Sequence, residues 1–270
     1  MMRGISCCTT EAQVLHLSKQ LLCKEKEMGK THESLKKIVE ESFLKIIQES
    51  FRDNLYSVIL YGSYVSGSYV SGLSDINMLL LLSAPASEQV EQFGKNGHRL
   101  MRKYRITPLI LTIAEFEDSA DVFPMEYMDI KERYRVIHGT DATQTLTFTL
   151  KNLRHQLEDR LRGNLASLRQ LLTASRGRER QIGAYLKNSY GSLGTLFRSL
   201  LRIKKIQPVP VESEELLGRV GELFGIDTDP FKKLISFRNG EKTAPKQILF
   251  GLISSLEALT SRIDTLKVEV

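Results

Sequence analysis

A chain of 270 residues, 41% apolar and 26% charged, has the balance of a soluble globular protein with room for one large domain or two ordinary ones. No apolar run approaches the ~20 residues needed to cross a bilayer and no signal-type apolar stretch opens the chain, so a cytoplasmic protein without a membrane partner is expected. The net charge of +6 is unevenly spread: residues 151–210 carry 13 Lys and Arg against 3 Asp and Glu. The three cysteines, Cys7, Cys8 and Cys23, all lie in the N-terminal segment. That excludes a disulfide framework for the body, and their spacing is not that of a zinc site.

Residues 1–27 read as an N-terminal extension ahead of a second candidate start at Met28. "THESLKKIVEESFLKIIQESF" predicts an amphipathic helix capped by Thr31, with Leu35, Ile38, Val39, Phe43, Ile46, Ile47 and Phe51 at three- and four-residue steps. "LYSVILYGS" predicts a strand ended by Gly62, and "DINMLLLL" a second strand whose apolarity on both parities calls for cover on both faces. A helix over Glu88 to Tyr104 leads to a third strand, Ile106 to Thr112, which Pro108 assigns to an edge or a strand start. "AEFEDSADVFPMEYMDI" predicts short helices and loop, and "YRVIHG" a fourth strand, Tyr134 to Gly139. Beyond residue 141 only helices are predicted. Leu153, Leu157, Leu161, Leu165, Leu168 and Leu172 form one long stripe. A second helix is expected from about Ile182 to Ile203, and three more after the "QPVPVES" linker. The expected organisation is therefore an α/β (α+β) domain over 28–140, a mixed sheet with flanking helices, followed by an all-helical bundle over 141–270.

The chemistry concentrates in "LYGSYVSGSYVSGLSDINMLLLL". Residues two apart on a strand share a face, so Asp75 and Asn77 are expected to project together and to offer oxygen ligands to a hard cation such as Mg²⁺. Gly62 permits close backbone approach, and Ser63 offers a hydroxyl and an N–H to a phosphate. A strand, a Gly-Ser turn and a same-face ligand pair form a layout for a nucleoside triphosphate. The competing reading is a buried strand merely capped by an Asp and an Asn. Gly62 and Gly67 have P-loop spacing, but the lysine is absent.

The pattern of Gly62-Ser63, then Ser74-Asp75 opening an apolar strand, resembles the nucleotidyltransferase superfamily that includes DNA polymerase beta. Within it the style is that of bacterial aminoglycoside adenylyltransferases and kanamycin nucleotidyltransferase. The resemblance spans roughly Thr31 to Gly139. It implies nucleotide binding at Gly62, Ser63 and Ser74, metal binding and catalysis at Asp75 and Asn77, and Mg²⁺ with an NTP, ATP foremost, as cofactors. Such enzymes generally hold two metals with three carboxylates. Here the second position is the neutral Asn77, and "ITPLILT" supplies no third acid; Glu115, Glu117, Asp118 and Glu126 lie past its end. Each missing unit charge is worth roughly 4 kcal/mol, gross, at ~4 Å and a surface-like dielectric.

The five histidines, at 16, 32, 98, 138 and 155, show no ligand spacing, and no Gly-x-Ser-x-Gly elbow occurs. The arginines of the basic block fall mostly off the leucine stripe. They form either a solvated face or a set turned partly toward an anionic ligand; without interleaved aromatics, a nucleic-acid partner is not expected. Two functions follow. One is transfer of a nucleotidyl group from Mg·NTP to a hydroxyl on a small molecule or protein, with Glu126 as a guess for the base. The alternative is a catalytically impaired nucleotide-binding regulatory module of the same fold.

Overall fold

The computed structural model describes residues 33–69, 71, 74–188, 193–210 and 212–267. The expected extension 1–27 and the Thr31 cap lie outside them. The first helix contains a π-helical turn, Ile38–Phe43, running directly into α1, Leu44–Phe51. Its buried side chains Leu35, Val39, Phe43, Ile47 and Phe51 repeat every four residues. Such a stripe drifts around a helix of 3.6 residues per turn, and the wider turn takes up part of the drift.

Four strands form one sheet in the order β3-β2-β1-β4. β1 (Leu55–Tyr61) pairs antiparallel with β2 (Ile76–Leu82) and with β4 (Tyr134–Gly139). Between β1 and β2 lies the one-turn helix α2, Ser63–Ser66, closed by Gly67 in the left-handed region. β2 runs parallel to β3 (Ile106–Thr112) through the crossover helix α3, Ser87–Tyr104. β3 is an edge strand, as Pro108 predicts, since a residue without an N–H is tolerated where no neighbour needs it.

The sheet is covered on both faces, which explains the unbroken leucines. Val58, Leu60, Met78, Leu80 and Leu82 pack with Phe43, Ile47, Phe51 and Phe93 of the helices on one side. Ile59, Leu79 and Leu81 pack on the other side with Phe116, Tyr127 and Ile130. The last three come from α4 (Ile113–Asp118) and α5 (Pro124–Glu132).

The remaining chain is largely helical: α6 (Leu150–Ser175), α7 (Glu179–Asn188), α8 (Leu193–Ile203), α9 (Ser213–Phe224), α10 (Asp229–Arg238) and α11 (Pro245–Asp264). The helix expected from Ile182 to Ile203 is described over Glu179–Asn188 and Leu193–Ile203, with residues 189–192 outside the described residues. The leucine stripe of α6 is buried from Leu153 to Leu168, in one core with the other five helices. Met125 of α5 belongs to that same core. So α5 is the seam: one flank covers the sheet, the other joins the helical region.

Candidate functional site

A cleft of about 390 Å³ opens where the ends of β1, β2 and β3 meet α5 and α8. Tyr61, Gly62, Ser63, Asn77 and Leu109 line the sheet side. Glu126, Asp129 and Arg133 line it from α5 and its end, and Thr195 and Arg198 from α8.

The Gly-Ser turn is built by backbone hydrogen bonds. Gly62 has φ 78° and ψ −146°, a conformation that a side chain would strain. Its N–H donates to the Arg133 carbonyl at 3.1 Å, and its own carbonyl accepts from the N–H groups of Val65 and Ser66, each at 3.1 Å. Register places Tyr61 opposite Asn77, so the turn and the amide share the mouth of the cleft. A Cβ on residue 62 would lie 3.1 Å from Asn77 Nδ2.

Asp75 is placed differently. It precedes β2 and is not among the residues lining the cleft. Its Oδ1 accepts from Arg105 Nε at 2.8 Å and Nη2 at 2.7 Å, with both side chains half exposed. The parallel register sets this pair: Ile76 lies opposite Ile106, and the Ile76 N–H donates to the Arg105 carbonyl at 2.9 Å. Ser74 adjoins Asp75 and is likewise outside the lining. On β3, Thr107 is in register with Asn77, and the next residue on that parity is Leu109, which faces the cleft. Glu115, the first acid past β3, closes a capping box on Thr112; hydrogen bonds from Thr112 hold its carboxyl below the usual range.

The acids of the cleft come from α5, and each is held. Glu126 accepts from Gln156 Nε2 on one oxygen and from Arg160 Nη2, at 2.9 Å, on the other. Burial would raise the Asp129 pKa, but hydrogen bonds and charge from Arg198, the charge of Arg202 and a bond from Thr195 bring it down to about 2. Arg202 is itself buried and also holds Glu132, Nε to Oε1 at 2.8 Å. Tyr61 is pushed up to about 12, by burial first and then by the charges of Asp129 and Glu126. Burial and the neighbouring Arg198 charge lower the pKa of Arg133, against Asp129 and Glu132.

This donor set does not fit a protein-held pair of Mg²⁺ ions. Among the described residues, no group of three or more His, Cys, Asp or Glu side chains is placed to hold a metal. Asp75 carries a guanidinium, Asn77 is neutral, Leu109 is apolar, and Glu126 and Asp129 already neutralise arginines. What the cleft offers is a glycine turn, a serine, an amide and two guanidinium groups, a set suited to phosphate oxygens. The sequence reading missed Arg133, Arg198 and Asp129. Acids at 129 and 132 facing arginines at 198 and 202, three and four residues apart on two helices, carry the signal, but the pairing of those helices is invisible in one sequence. Of the arginines of the basic block, Arg160 pairs with Glu126, Arg162 with Glu158 and Asp264, and Arg169 with Glu257. His138 lies on β4, its Nδ1 3.2 Å from Gln48 Nε2, outside the cleft.

Residues 40–137 match the model of the nucleotidyltransferase domain family. Among solved structures, the chain is similar to spectinomycin adenyltransferase AAD(9) from Enterococcus faecialis, determined with ATP and spectinomycin. The identity is 15% and the TM-score 0.52, over 84% of this chain and 98% of that one. At that identity the likeness is one of fold. No curated protein matches the sequence. The Gly62-Ser63 turn at the end of β1 and strands β1 to β3 fall within the matched span, so the likeness to the nucleotidyltransferase domain family holds for residues 40–137.

Proposed function

We propose that the cleft binds a nucleoside triphosphate, ATP foremost, and that the chain works as a nucleotide-binding module built on the nucleotidyltransferase fold. One observation carries this reading. Asp75, Glu126 and Asp129 are each engaged by an arginine, while Gly62, Ser63 and Asn77 remain turned to the cleft beside Arg133 and Arg198. Two-metal transfer needs carboxylates free to hold cations; phosphate binding needs donors and positive charge. A ligand that binds only the native state must raise its stability. Thermal unfolding with ATP, GTP, CTP and UTP in turn tests the reading. At least one should raise Tm, and no shift with any of them at millimolar concentration refutes it.

A second reading is nucleotidyl transfer to a hydroxyl of a small molecule. It draws on the fold likeness to an adenyltransferase solved with ATP and spectinomycin. In this reading Asp75 exchanges Arg105 for Mg²⁺, with Asn77 as a weaker ligand. Glu126 is a poor base for the acceptor because both its oxygens are already bonded. Incubation with α-labelled ATP, Mg²⁺ and a panel of aminocyclitols and aminoglycosides decides between the readings. A labelled product, absent from Asp75→Ala, favours transfer.

A further inference from the structure

Replacing a metal-binding carboxylate by an amide changes more than affinity for the metal. An ionised carboxylate only accepts hydrogen bonds and repels a phosphate unless a cation stands between them. An amide donates, and so accepts a bare phosphate as a neighbour. Asn77 stands at the cleft mouth close against the Gly62 backbone, with the apolar Leu109 beyond it. No ionised side chain faces the cleft from the β2 and β3 residues that line it. Asp75, the nearest acid in the chain, is neutralised by Arg105.

The positive charge comes from the opposite wall. The backbone of Arg133 is fixed to the glycine turn, since its carbonyl accepts the Gly62 N–H. Its Nη2 donates to the Val209 carbonyl at 3.2 Å, and among the described residues it has no carboxylate within ion-pair distance. Arg198 uses Nε and Nη2 on Asp129, and its Nη1 makes no hydrogen bond among the described residues. Arg133 and Arg198 share one half-buried cleft with Glu126 and Asp129, which are themselves bonded to Arg160 and to Arg198 with Arg202. Burial first, and then the Arg198 charge, lowers the pKa of Arg133, with Asp129 and Glu132 opposing.

We propose that this cleft takes the phosphates of a nucleotide without a divalent cation: Arg133 supplies the positive charge, Arg198 Nη1 a further donor, and Asn77 a donor where a carboxylate would demand a metal. This rests on the nucleotide-binding reading above and goes beyond it, because it specifies that binding needs no divalent cation, so that free and Mg-bound nucleotide are held alike. The test is calorimetric titration of the full chain with ATP in Mg²⁺ and in EDTA. The two dissociation constants should agree within about threefold, a free-energy difference smaller than one charged hydrogen bond. Asn77→Asp should weaken binding in EDTA by on the order of tenfold or more, with recovery in Mg²⁺, because the new carboxylate repels bare phosphate. Arg133→Gln should weaken binding by about tenfold to a hundredfold in both conditions alike. Arg133→Lys, which retains the charge, serves if the glutamine variant fails to fold, and should fall between the two. Wild-type binding that disappears in EDTA overturns the inference and leaves the nucleotide-binding reading standing. Equal affinities of wild type and Asn77→Asp in EDTA remove the role given to Asn77. No ATP binding in either condition sinks both proposals.

Discussion

Asp129→Asn is the substitution whose cost the structure specifies most fully. The Asp129 side chain, 15% exposed, accepts from Arg198 Nε at 2.8 Å and Thr195 Oγ1 at 2.6 Å, and from Nη2 of both Arg198 and Arg202. Removing one member of a buried ion pair typically costs about 3–5 kcal/mol, because the partner is left buried and uncompensated. The low end applies here: Arg202 retains Glu132, and Arg198 is 21% exposed on the cleft side. The expected loss is therefore ~3 kcal/mol at neutral pH. The titration of Asp129 supplies an independent figure. Its folded-state pKa of about 2 lies below the ordinary 3.8, so the carboxylate stabilises the fold above about pH 4. That contribution, ~2 kcal/mol, is lost as the pH falls toward 2. Urea unfolding of wild type and variant across this range measures both, and the difference between them isolates Asp129 from other carboxylates. The m-values should match. The stability gap should be ~3 kcal/mol at pH 7 and narrow by roughly 1–2 kcal/mol as the medium is acidified. A gap under about 1 kcal/mol, or one independent of pH, refutes the assignment of this network as the clamp between α5 and α8.

Gly62→Ala forces a side chain into a positive-φ position and presses a Cβ to 3.1 Å from the Asn77 amide. We expect a stability loss of ~1–2 kcal/mol together with weakened ATP binding, and unchanged thermal unfolding with and without ATP would contradict the geometry of the turn. The basic block should not make this a nucleic-acid-binding protein, since Arg160, Arg162, Arg169, Arg198 and Arg202 are paired with carboxylates. Filter binding of RNA and DNA at about 0.15 M salt should detect only weak, non-specific association; sub-micromolar binding lost on neutralising these arginines would reverse that expectation.

Local rules were enough for the elements and their order. The four leucines of β2 are buried whichever face they take, so a both-sided cover follows from parity alone, and Pro108 marks β3 as an edge because it lacks a donor. The turn at Gly62-Ser63 was legible because a glycine closing an apolar run marks where the backbone leaves the strand in a conformation that other residues resist. The largest gap concerns charge. Asp75 and Asn77 are two apart and were expected to act together, yet Asp75 precedes the first paired residue of β2, where the αL backbone of Arg105 delivers a guanidinium to it. Glu126, Asp129, Arg133, Arg160 and Arg198 are unremarkable in the sequence, separated by up to dozens of residues. Only the docking of α5 against α6 and α8 turns them into neutralised acids and cleft-facing cations. Periodicity and turn chemistry act over a few residues and can be read along a chain; the charge state of a cleft depends on which distant groups share a desolvated volume, and that is decided by tertiary packing.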